Sequence, residues 1–214
     1  DKTARTGSVV HGLAYLSRSP ALIWLLALMA LSHLFLLPYL TLLPAIVKEV
    51  VKAGPEGLGI LGTSLGVGAM LGSLWLTNVD ALKQQRLLVL SLYLLPAGIL
   101  VFATSSNLLV AVAIALIVGS STTWMQTIFN TLVQLLVRDD MRGRTMSIYL
   151  LLQAGTLRGG AMGAGFLGEL VGGVPLALQG FAVASLICTT IALRLRPVAL
   201  TDGMPRQIVT AATD

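Results

Sequence analysis

Apolar residues gather in six long stretches separated by short polar breaks: Ala21 to Val47, Leu58 to Thr77, Leu87 to Thr104, Leu108 to Val137, Met146 to Val171 and Val174 to Leu193. Each is about the length a helix needs to cross the hydrocarbon core of a bilayer, roughly 20 residues. The pattern predicts an all-α membrane protein with six transmembrane helices. Little chain is left for anything else. Residues 1–20 read as an amphipathic lead-in on the membrane surface, 21–193 as the helical bundle and 194–214 as a tail. Any function must therefore be carried within or between membrane helices.

Prolines and glycines shape the predicted helices. Pro38 and Pro44 fall inside the first stretch, where each removes a backbone donor and bends the helix. The second stretch carries Gly62, Gly66, Gly68 and Gly72, and the fifth carries Gly155, Gly159, Gly160, Gly163, Gly165 and Gly168. Ridges nearly bare of side chains let another helix approach closely. The strings Gly68-Ala69-Met70 and Gly160-Ala161-Met162 match, which makes the second and fifth helices equivalent positions. Those helices cross in opposite directions, the pattern of an inverted repeat of three helices plus three.

Composition agrees with the pattern. The chain is 56% hydrophobic and only 11% charged, with a mean hydropathy of +0.88, whereas about a quarter of the residues of a soluble domain are charged. A net charge of +5 would suit a nucleic-acid partner, but the basic residues form no stripe or tail. Most lie in alternate connections, and the other connections hold only Lys48 and Lys52. Lys2, Arg5 and Arg18 precede the first helix, Lys83 and Arg86 follow the second, Arg138, Arg142 and Arg144 follow the fourth, and Arg194, Arg196 and Arg206 follow the sixth. Basic residues accumulate on the cytoplasmic side of short loops, so both ends of the chain are expected inside, with the bundle in the cell (inner) membrane. The sole cysteine, Cys188, supplies neither a disulfide framework nor a cysteine zinc site. The chain opens Asp1-Lys2-Thr3-Ala4-Arg5-Thr6 rather than with a basic-then-apolar leader, and reads as starting internally.

Catalytic motifs find no support. Gly62-Thr63-Ser64-Leu65-Gly66 fits a hydrolase nucleophile pattern, but that motif needs a sharp strand-to-helix turn and a base. It sits in an apolar helix, with only His11 and His33 as candidate bases. Gly163-Ala164-Gly165-Phe166-Leu167-Gly168 fits the dinucleotide pattern, yet no strand precedes it and no acid follows about 20 residues on. Neither a cofactor nor a metal site is expected, and the chain does not read as an enzyme.

Polar residues within the helices are the candidate functional groups. Gln126, Asn130 and Gln134 recur every four residues, on one face of the fourth helix. Such a line either bonds a neighbouring helix or walls a polar cavity. Arg158 falls near the middle of the fifth helix, where an arginine costs about 2.5–3.5 kcal/mol on insertion scales and so requires compensation. Glu169 is about 16 Å further along an ideal helix and is a poor direct partner. An acid elsewhere, or an anionic substrate, would meet the need.

The string Leu132-Val133-Gln134-Leu135-Leu136-Val137-Arg138-Asp139-Asp140-Met141-Arg142-Gly143-Arg144-Thr145-Met146-Ser147-Ile148-Tyr149 resembles the segment between helices ten and eleven of major facilitator superfamily transporters. The likeness is closest to the drug and siderophore exporter branch that includes the enterobactin exporter and macrolide efflux proteins. Val137-Arg138 stands where that branch usually has Val-Pro. Gly12 to Pro20 resembles the end of the central loop, Pro38 to Pro44 helix seven, and Gly57 to Gly72 helix eight.

The resemblance implies the C-terminal six-helix half of a secondary transporter that exports a small-molecule substrate (a drug, siderophore or metabolite) by alternating access, with export driven by proton antiport as the family expectation. A missing N-terminal six-helix half would supply the other wall of the cavity. Substrate or cavity candidates are Arg158, Gln126, Asn130, Gln134 and His33; cytoplasmic gate candidates are Asp80, Lys83, Arg86, Arg142 and Arg144. The lipid bilayer is the remaining partner. The alternative is a complete six-helix membrane protein that dimerises as a pore or assembly subunit.

Overall fold

The computed structural model describes residues 19–195; the predicted lead-in and most of the tail lie outside them. The described residues are helical, without strands. The helices are α1 (Pro20–Leu36), α2 (Pro38–Ile46), α3 (Pro55–Leu76), α4 (Ala81–Phe102), α5 (Leu108–Leu136), α6 (Arg142–Val171) and α7 (Val174–Leu195). Together α1 and α2 make the first crossing, so seven helices give six crossings.

Local chemistry sets the boundaries. Proline occupies the first turn of α1, α2 and α3, where its missing donor costs nothing. Before Pro38 the chain breaks at Leu37, whose N–H reaches His33 O at 3.3 Å. The expected kink in the first crossing is there. Beyond Pro44 the helix widens into a π turn, Val47–Val51, which ends at Lys52 in the left-handed region with φ 54°. Asn107 caps α5, its Oδ1 accepting from Leu109 N–H at 2.9 Å. Gly172, φ 92°, closes α6.

Five of the crossings combine the length and apolarity of a membrane helix. The sixth, α6, has length to spare at 30 residues, about 45 Å at 1.5 Å per residue. Its glycines, Gln153 and Arg158 make it less apolar. Such a helix is suited to protein neighbours rather than to lipid on every side.

Packing repeats between the two halves of the bundle. The most extensive contact is α3 on α5; α1 and α2 pack on α6 and α7, and α4 lies between α5 and α7. Exchanging the first three crossings for the last three maps α3 on α5 onto α6 on α1, and α4 on α5 onto α7 on α1. The glycines follow the same exchange. A Cβ on Gly68 would run into the backbone carbonyl of Leu116, and one on Gly160 into that of Leu34; four residues on, Ser120 abuts Gly72 and Pro38 abuts Gly160. The predicted 3+3 repeat is thus visible in its contacts.

At the α3–α5 seam the close approach lets side chains reach backbone oxygens. Ser120 Oγ donates to Gly68 O at 2.7 Å and Trp124 Nε1 to Gly72 O at 2.9 Å. Bonds of this kind between membrane helices contribute about 0.6 kcal/mol on average. Across the bundle, the buried Tyr39 hydroxyl lies 2.9 Å from Thr122 Oγ1 and ties α2 to α5.

Candidate functional site

The four-residue spacing on α5 sets one polar line along that helix. Gln126 and Asn130 line a pocket of about 360 Å³ with Thr127 and Thr131 of α5 and Tyr149 and Gln153 of α6. Gln134 continues the line outside the pocket, its Nε2 donating to Asn130 Oδ1. The volume is within the range of small-molecule sites, roughly 300–1,000 Å³. All six lining side chains are uncharged and polar.

His33 stands behind this wall. It is fully buried, with Nδ1 2.8 Å from Met29 O and Nε2 3.3 Å from Gln153 Nε2. A carbonyl oxygen only accepts, so Nδ1 carries the proton, and in the neutral ring Nε2 accepts from the Gln153 amide. Phe129 of α5 fixes the ring from another side, with centroids 6.5 Å apart. Through Gln153, a histidine of α1 orients a group that faces the pocket.

Tyr149 is 1% exposed, lines the pocket and makes no hydrogen bond to the described residues. Nearby in sequence, Thr145 Oγ1 is buried without a partner. By contrast, apolar side chains dominate two other grooves: one of about 590 Å³ between α1 and α7 around Trp24 and Cys188, and one of about 580 Å³ around Phe35 and Phe181. Their surfaces match lipid chains.

Arg158 is not among the pocket's lining residues. It is exposed on α6, on a stripe with Leu151, Gly155 and Met162, separated by four, seven and eleven residues from Leu151. Among the described residues it makes no ion pair, and neither does Glu169. The five cavity candidates therefore divide: Gln126, Asn130 and Gln134 share one line, His33 joins it through Gln153, and Arg158 stands apart.

The gate candidates form local pairs. Lys83 Nζ lies 2.9 Å from Asp80, and Arg142 Nη2 lies 2.7 Å from Asp139, each three residues away. Arg144 Nη1 approaches Met141 Sδ at 3.9 Å. These ion pairs stay within their own connections, and their side chains are largely exposed; surface pairs of this kind contribute little stability. Arg86 is exposed at the start of α4.

Sequence spacing found Gln126, Asn130 and Gln134, but missed Thr127, Thr131, Tyr149 and Gln153. The threonines follow the two amides by one residue and share their four-residue repeat, so widening the line by one position would have included them. Gln153 was another mid-helix amide, overshadowed by the charge at Arg158.

A family model described as a transmembrane secretion effector matches residues 3–210. The search of curated proteins finds no match.

Proposed function

Since the chain belongs to the transmembrane secretion effector family of the major facilitator superfamily and is a multi-pass membrane transporter, we propose that it exports a small molecule through the α5–α6 pocket. The observation that carries this reading is an uncharged polar pocket in a bundle otherwise dominated by apolar surface. Polar groups facing lipid are costly, whereas those lining a substrate route are useful. The proposed mechanism is alternating access, with this bundle as one half and a second six-helix bundle covering the pocket. The drug and siderophore exporter branch is the proposed placement.

Comparison of solutes inside and outside cells, with the full-length gene intact or deleted, tests export. At least one small molecule should rise inside and fall outside on deletion, and restoring the gene should reverse both changes. Depletion inside the deleted cells would indicate uptake and overturn the proposed direction.

The proposed orientation places both ends of the chain and the connections holding Lys83 and Arg142 in the cytoplasm of a cell with the bundle in its inner membrane. Basic side chains on that rim resist translocation. A single accessible cysteine at Ser105 should label from outside, and one at Ser147 only after the membrane is opened, in a Cys188→Ala background. The reverse pattern would invert the topology.

Arg158 is proposed to face the other six-helix half, where a carboxylate of that half would offset its burial. Arg158→Met should lower export severalfold at normal protein levels, with Arg158→Lys recovering part of it. Full export by the methionine variant would leave Arg158 without a transport role.

A further inference from the structure

Resting on the transport reading of this pocket, we infer that its ligand is an uncharged molecule bearing a carboxamide, with an N–H and a C=O held side by side. The hydrogen bonds within the wall bias which polarity each neighbour presents. Gln153 spends one of its two amide N–H groups on His33 Nε2, leaving its Oε1 to accept and its second N–H to donate. Asn130 spends Oδ1 on Gln134, leaving its Nδ2–H groups to donate. Thr131 gives its hydroxyl proton to Thr127 O at 2.9 Å. Tyr149, 1% exposed and unpartnered, lines the pocket with its hydroxyl available.

An acceptor on α6 facing donors on α5 suits a group that carries its own donor and acceptor side by side. An amide has that character: its N–H can meet Gln153 Oε1 while its C=O accepts from Asn130 or Tyr149. No charged side chain lines the pocket, so an ion entering it would lose hydration without a counter-charge. The pocket therefore selects for neutrality as well as for the amide.

The test uses the full-length protein in nanodiscs and tritiated N-acetylphenylalaninamide as probe. N-acetylphenylalaninate and phenylalaninamide serve as the anionic and cationic counterparts of nearly the same shape. The neutral amide should bind at least tenfold more tightly than either ion. Tyr149→Phe should weaken it about fivefold, the loss of one neutral hydrogen bond. Asn130→Asp should weaken it more than tenfold and raise affinity for the cation, a change of preference that mere loosening of the fold would not produce.

Equal binding of all three compounds, absence of amide binding at millimolar concentration, or unchanged affinity in both variants would overturn the inference. Flux in proteoliposomes separates it from the transport reading. Selective amide binding without flux would support the ligand class while counting against transport of this probe; flux indifferent to both variants would retain transport and overturn the ligand class.

Discussion

Gly160→Val should prevent recovery of folded protein, whereas Gly155→Val, about 1.4 turns earlier on the same helix, should be tolerated. A Cβ at Gly160 would overlap the Leu34 backbone carbonyl and press on Pro38 Cγ, but nothing lies within 4 Å of a Cβ at Gly155. A side chain in the way can change rotamer. A carbonyl in a helix can move only if the helix moves. Overpacking of a core typically costs about 1–3 kcal/mol, and obstruction by backbone belongs at or above the upper end of that range.

The repeat provides an independent check. Gly68→Val should fail in the same manner because its Cβ would meet the Leu116 carbonyl, while Gly66→Val has open space. Yield of monodisperse protein and its melting temperature in detergent distinguish the pairs. Equal melting of Gly160→Val and Gly155→Val would show that α1 and α6 do not pack as closely as described.

Thr127→Trp should abolish most export, by more than tenfold, of the solute identified by gene deletion. Thr127 lines the pocket, is exposed, and its hydroxyl makes no hydrogen bond to the described residues, so the larger indole fills ligand space without breaking an internal contact. Ile187→Trp is the matching control: Ile187 is exposed on α7, away from the pocket. Both variants should reach the membrane in normal amounts. If Thr127→Trp exports as well as the parent, the substrate follows another route.

Much of the fold could be read in the sequence because lipid imposes strong rules on a chain. Backbone groups crossing a bilayer must be satisfied internally, so six apolar runs could become only helices, and their expected limits agree with the observed helices to within a few residues at most ends. Pro38 similarly determined the break in the first crossing, since it has no N–H to continue the ladder. The repeat was also present in the matching Gly-Ala-Met strings, although their contacts were not.

The site was legible along a helix but not between helices. Spacing of four residues is enough to align Gln126, Asn130 and Gln134, because a helix turns by a fixed angle per residue. It says nothing about the rotation of α6 relative to α5. That rotation brings Tyr149 and Gln153 to the pocket, places His33 of α1 behind Gln153, and carries Arg158 to another face. Local geometry thus determined the helices, the kink and the polar line; tertiary packing decided which polar groups meet, because the approach and rotation of helices depend on side chains distant in sequence.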